Sequence, residues 1–135
     1  MQEISPELTE FAKGYTAAWC SQDPTQVAAF FSPAGSLAIN GGPPSLGRAT
    51  ITAAARSFMI AFPDLQVTMD RLVPVGDRIE YHWMLTGTNT GPGGSGKKVR
   101  ITGFESWALG VDGLIEHSLG SFDATDYERQ ISGHG

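Results

Sequence analysis

The segment KKVRITGFESWAL alternates with a period of two. Val99, Ile101, Glu105, Trp107 and Leu109 share one phase; Lys98, Arg100, Thr102 and Ser106 share the other, interrupted by Phe104 and Ala108. Such alternation marks a strand with one face packed inward. Glu105 lies in the apolar phase. A carboxyl there must be paired, neutralised or turned towards a cavity, because an isolated buried charge is strongly disfavoured. Held in an apolar cavity, it suits acid/base work. Other candidates carry weaker signals. Tyr15 lies on the apolar stripe of a helix, where its hydroxyl needs a partner. Asn40 opens the loop NGGPP and is equally suited to forming the turn. Asp123 begins DATD, which reads first as a helix cap and second as an acid/base group. His82 is out of phase with Ile79, Tyr81 and Trp83, and His117 reads as a strand residue facing solvent or an interface. No His, Asp and Glu cluster has metal-ligand spacing, and no Ser–His–Asp set is suggested. Neither a metal nor a cofactor is expected.

Helices and strands must position these groups. Ser5-Pro6-Glu7 reads as an N-cap, a first-turn proline and an acidic first turn. Leu8, Phe11, Ala12, Tyr15, Ala18 and Trp19 follow at helical spacing. Asp23-Pro24 starts a short second helix carrying Val27, Phe30 and Phe31, ended by Pro33. GSLAI reads as a short strand and NGGPPSLG as a loop. RATITAAARSFMIAF is a third helix with Ile51, Ala54, Ala55, Phe58 and Phe62 inward. Four strands follow. The first carries Leu65, Val67 and Met69 and slips phase by Leu72-Val73, which predicts a bulge. In the second, Ile79, Tyr81, Trp83 and Leu85 share a face. GPGGSG connects to the strand of Glu105 and is no phosphate loop, since no Gly-Lys-Ser/Thr follows. Asp112-Gly113 predicts a two-residue hairpin turn, which sets Leu109 opposite Glu116, Trp107 opposite Ser118 and Glu105 opposite Gly120. Glu116, Ser118, Gly120 and Phe122 then share the face of Glu105. A short helix ends the chain, and the tail from residue 132 to 135 is expected to fray.

At 135 residues the chain predicts one domain, and 41% hydrophobic residues suffice for a core. A net charge of −5 with no basic stripe argues against nucleic acid and anionic membranes. No apolar run approaches a membrane span, and MQEISPELTEF lacks a signal-peptide layout. The single Cys20 precludes an internal disulfide and a cysteine-rich zinc site. A cytoplasmic protein is the simplest reading. Helices set apart from a curved antiparallel sheet make an α+β domain. Here the sheet wraps the N-terminal helices as a cone-shaped α+β barrel.

This order, with YTAAWCSQDPTQVAAFF, FPDL, GTNTGPGGSGK, FESWALGVDGLI and DGLIEH, resembles the nuclear transport factor 2-like superfamily over roughly residues 6 to 131. Within it the chain is most similar to the SnoaL-like polyketide cyclases. Ketosteroid isomerase, a relative, pairs a tyrosine and a protonated aspartic acid as oxyanion donors. That resemblance implies these roles for Tyr15 and Glu105, while the isomerase's basic carboxylate falls on Asn40, an amide. Limonene epoxide hydrolase's arginine and first aspartate fall on Trp83 and Leu85 and its last aspartate on Gly120, so its chemistry is not retained. SnoaL's acid/base aspartate is nearest to Asp123. Homodimerisation is likewise an expectation of the superfamily.

Together these readings give a largely apolar pocket for a small hydrophobic or carbonyl-containing molecule. The enzymatic reading is cofactor-free isomerase, aldol-type cyclase or lyase chemistry, with Glu105 and Tyr15 donating to an enolate oxygen and Asp123, Glu116 or a water moving the proton. Trp19, Phe62, Trp83 and Trp107 are core by default, and some should line the cavity; Asn40, Glu116 and Gly120 complete the candidate ligand contacts. The alternatives are a non-catalytic binding module and an accessory domain that dimerises through the sheet face bearing His82 and His117.

Overall fold

A computed structural model describes residues 4–132. The expected fraying of 133–135 lies outside the described residues. The order is α1 (Pro6–Cys20), α2 (Pro24–Ala28), β1 (Phe31–Ile39), β2 (Ser45–Leu46), α3 (Gly47–Ala61), β3 (Gln66–Val75), β4 (Arg78–Thr88), β5 (Lys98–Leu109), β6 (Ile115–Phe122) and α4 (Ala124–Ser132). The helix starts follow the caps read from the sequence. Ser5 accepts from the Leu8 amide at 3.0 Å, and Asp23 accepts from the Thr25 amide at 3.1 Å. Ala12, Tyr15, Ala18 and Trp19 form the buried stripe of α1.

The strands form one curved, open six-stranded sheet in the order β2-β1-β6-β5-β4-β3. Neighbours are antiparallel except β1 and β6, which run parallel. Helix α1 lies against β3, and α3 against β1 and α2, so the apolar core fills the concave side of the sheet. The phase slip in β3 is a register shift between Met69 and Arg71. Pro74 falls in this edge strand, where a missing amide hydrogen is tolerated.

Four expectations change. The sheet expected to be antiparallel has one parallel pair, β1 and β6, and Ser45–Leu46, expected in a loop, forms β2 against β1. Phe31 begins a strand and does not extend the second helix: it pairs with Ile115, whose amide donates to Phe30 O at 2.9 Å, and its ring is fully buried. Long-range pairing overrides the local helical spacing here, and Pro33 falls in the irregular stretch of β1 between Phe31 and Ser36. The hairpin joining β5 and β6 has a three-residue loop, Val111 to Gly113. Gly113 donates to Gly110 O at 3.0 Å and Gly110 to Leu114 O at 2.9 Å, with Gly113 at φ 78°. That left-handed glycine is what a turn followed by a G1 bulge requires.

Candidate functional site

The concave face leaves a small apolar pocket that opens to solvent. Aromatic rings dominate its wall: Trp19 from α1, Phe58 from α3, Tyr81 and Trp83 from β4, and Phe122 from β6. Leu37, Val67, Leu85 and Ile101 add aliphatic surface, and Glu105 contributes a carboxyl. Mostly apolar walls with few polar groups are usual for small-molecule sites.

Glu105 is 7% exposed and makes no ion pair among the described residues. Three neutral donors from three elements converge on it instead. Tyr15 of α1 donates its hydroxyl, 2.9 Å from Oε1 and 3.1 Å from Oε2. Trp107 Nε1 lies 3.1 Å from Oε1, and Ser118 Oγ lies 2.7 Å from it. The indole can only donate, which makes Oε1 an acceptor. Oε2 keeps only the longer Tyr15 contact, so it is the oxygen with capacity to spare. Burial pushes the Glu105 carboxyl above the ordinary glutamate range; the hydrogen bonds from Ser118, Trp107 and Tyr15 oppose that shift without cancelling it.

The neighbouring hydroxyls are committed. Tyr15 is fully buried, and desolvation, with the Glu105 charge beside it, raises its pKa well above that of free tyrosine. Thr16 Oγ1 donates to Ala12 O at 2.8 Å, so the Tyr81 hydroxyl, 2.6 Å away, donates to Thr16. Burial raises the Tyr81 pKa as well. Trp107 stacks on Tyr81 with ring centroids 4.9 Å apart, behind the carboxyl.

The family model of the SnoaL-like polyketide cyclases matches residues 9–131. This chain belongs to that family. No curated protein matches the sequence. Among solved structures, a putative SnoaL-like polyketide cyclase from Jannaschia superposes with TM-score 0.78 at 20% identity, covering 100% of both chains. TsrD from Streptomyces laurentii gives 0.79 at 22%, covering 96% of this chain and 98% of its own. A hypothetical protein with a ketosteroid isomerase-like fold from Catenulispora acidiphila, in complex with trimethylamine, gives 0.79 at 15%, covering 91% and 92%. At these identities the likeness concerns the fold: this SnoaL-like chain has the nuclear transport factor 2-like architecture.

The SnoaL-like scaffold brings some of the predicted site residues together and separates others. Trp19, Trp83, Glu105 and Gly120 line the pocket. Gly120 faces Glu105 across the hairpin, and a methyl there would sit 3.8 Å from Glu105 Cγ. Tyr15 and Trp107 stand behind the carboxyl and do not line the cavity. Both donate hydrogen bonds to Glu105. Phe62 is fully buried in the core, beside Gly87 and the ring of Tyr127, and not on the pocket wall. Asn40 takes the left-handed turn conformation at φ 51°, and its side-chain oxygen accepts from the Phe122 amide at 2.9 Å. It pins the end of β6 outside the pocket. Asp123 is exposed and accepts from the Asp126 amide at 3.0 Å, so it caps α4 and is not placed for acid/base work in the pocket. Glu116 is exposed because it bulges from β6: Ala108 pairs with His117 and Leu109 with Ile115. Ile115 takes the inward place.

Sequence reasoning assigned no role to Ser118 or Tyr81. Ser118 lies in the inward phase opposite Trp107, so the hairpin register was its signal. Tyr81 pairs directly with Glu105, but the glycine-rich connection before β5 carries no register information. Among the described residues no cluster of His, Cys, Asp or Glu could hold a metal, and no helix is long and apolar enough to cross a membrane.

Proposed function

We propose that this SnoaL-like protein binds a small, largely apolar carbonyl compound and acts on it without a cofactor, with Glu105 as the acid at the carbonyl oxygen. One observation carries the reading: a buried carboxyl with no cationic partner among the described residues, held by three neutral donors at the wall of an apolar pocket. Trp107 and Ser118 keep Oε1 as acceptor, so the proton resides on Oε2. A substrate carbonyl accepting from Oε2 has its adjacent C–H bond acidified. Water entering at the mouth takes the carbon-bound proton, the carbonyl oxygen takes the Glu105 proton, and the resulting hydronium restores the carboxyl. The product is an enol, from which isomerisation, aldol-type closure or elimination proceeds. Tyr15, Trp107 and Ser118 tune and orient the acid.

The test is exchange of the α-hydrogens of α-tetralone in heavy water. The protein accelerates it, and Glu105→Gln slows it about a hundredfold or more while still binding the ketone through its amide N–H. Wild-type exchange in Glu105→Gln, or a Glu105 carboxyl that titrates like a solvent-exposed one, overturns the reading. One observation favours a second reading, binding without turnover: among the described residues no carboxylate other than Glu105 lines the pocket. It predicts saturable binding and no exchange in any variant. The protein acts as a homodimer in the cytoplasm on this proposal. The outward sheet face, with Leu119 54% exposed and His82 stacked on Phe104 at 5.3 Å, offers the surface for a second copy.

A further inference from the structure

Four strand positions hold glycine: Gly35 in β1, Gly87 in β4, Gly103 in β5 and Gly120 in β6. Glycine weakens a strand, and inside one it marks a bulge, a tight bend, or a close approach of backbone or ligand. Close packing accounts for three of the four. A Cβ would lie 2.9 Å from Ile115 O at Gly35, 3.0 Å from Phe62 Cβ at Gly87 and 2.7 Å from Trp83 Cζ2 at Gly103. Gly120 has no such neighbour. A Cβ there would meet Ala38 O at 3.4 Å, and Glu105 Cγ and Ile39 Cγ1 at 3.8 Å, which are ordinary van der Waals distances. Its φ is not positive. Its pairing is regular on both sides, from Ala108–His117 to Gly103–Phe122 with β5 and from Ser36–His117 to Ile39–Gly120 with β1. Neither packing, turn geometry nor a bulge calls for glycine at 120, which leaves the approach of a ligand.

Gly120 also stands where a ligand has to lie. It pairs with Glu105 on one side and Ile39 on the other, and all three line the pocket. A Cβ at 120 would touch the side chains of both, so the missing side chain is one that would point into the cavity. Glu105 is 7% exposed, whereas Gly120 is only half-buried. The volume left free is beside the carboxyl, in the place of the atoms that flank a bound carbonyl.

We infer that Gly120 is a specificity-determining residue: its bare backbone admits ring atoms next to Glu105, so that the pocket selects cyclic ketones, with the carbonyl in the ring, over methyl ketones. This rests on the carbonyl reading of the pocket. A cyclic ketone carries fixed ring carbons on both flanks of the carbonyl and needs the space that a β-carbon at 120 would fill. A methyl ketone turns its methyl group to that side and fits with or without the β-carbon.

Direct binding measurements with α-tetralone and 4-ethylacetophenone test this, in wild type and Gly120→Ala, together with thermal melts that include Gly103→Ala. The second ketone is an aryl methyl ketone of the same carbon count. Wild type prefers α-tetralone. Gly120→Ala weakens α-tetralone by about tenfold, the range of one overpacked methyl group, and leaves 4-ethylacetophenone within about twofold. The same variant melts no lower than wild type, because alanine strengthens a strand where its methyl group meets no obstacle. Gly103→Ala, which drives a methyl group into Trp83, melts lower. The inference is overturned if Gly120→Ala binds both ketones as wild type does, or if it weakens both equally. It is also overturned if Gly120→Ala melts below wild type as Gly103→Ala does, which would make the glycine a packing requirement. Failure of Glu105 as the acid reads out separately, as absent α-hydrogen exchange in a wild type that still shows the Gly120-dependent preference. A wild type that binds neither ketone removes the carbonyl reading and this inference together.

Discussion

Glu105 and Glu116 lie on paired strands of one hairpin, yet one is 7% exposed at the pocket wall and the other stands in solvent. Residue type and side-chain length are the same. The difference is strand parity. In the middle of the hairpin the alternation is unbroken, and Glu105, Trp107 and Ser118 all point inward. Near the turn, the three-residue loop offsets the pairing by one residue and the bulge at Glu116 offsets it back. The expected pairs Glu105–Gly120 and Trp107–Ser118 therefore hold, while the residue between the two irregularities changes face. A carboxyl becomes a chemical group when the backbone presents it to an apolar cavity; the same residue on a bulge is a solvated surface charge.

This contrast can be broken by substitution. Glu105→Ala leaves Tyr15, Trp107 and Ser118 without their acceptor and opens a void, so a loss of roughly 3 kcal/mol is expected from urea denaturation. Glu116→Ala changes stability by no more than about 0.5 kcal/mol. Equal losses would show that parity does not separate the two.

The pH dependence of stability sharpens it next. The Glu105 carboxyl is raised in the fold, chiefly by burial. Between the unfolded value of about 4.3 and the raised native value, the folded protein holds a proton that the unfolded chain has released. Glu105 therefore makes stability fall as pH rises through that window, and its unfavourable contribution is complete above it. Glu105→Gln removes this slope; thermal melts across the window check it, and an unchanged slope in the variant would contradict the assignment.

The smallest effect is local. Ser118→Ala deletes the 2.7 Å hydrogen bond to Oε1, which costs about 1 kcal/mol and moves the Glu105 titration further upward. The carboxyl-carbon resonance measures it, and a downward move would mean that Ser118 does not donate.

Much of the site was legible because it depends on local periodicity. The inward phases of β4 and β5 and the helix caps at Ser5 and Asp23 follow from spacing within short segments. Asn40 and Asp123 were each weighed against a structural role, and in both cases the backbone makes that role plain: a left-handed turn for one, a helix cap for the other. Glu116 was misplaced because a bulge leaves no reliable mark in a sequence. Phe62 was misplaced because an apolar ring looks the same whether it meets a cavity or a neighbouring ring.

By itself the sequence determined that Glu105 faces inward, since a strand's side-chain period is two whatever the strand packs against. It could not determine what Glu105 meets. Tyr15 lies 90 positions away along the chain, and Tyr81 reaches its place opposite Glu105 through a glycine-rich connection that sets no register. Only the assembled sheet and helix decided that the carboxyl meets three neutral donors and, among the described residues, no cation. Those facts depend on distances between elements, which side-chain packing sets and local spacing does not encode.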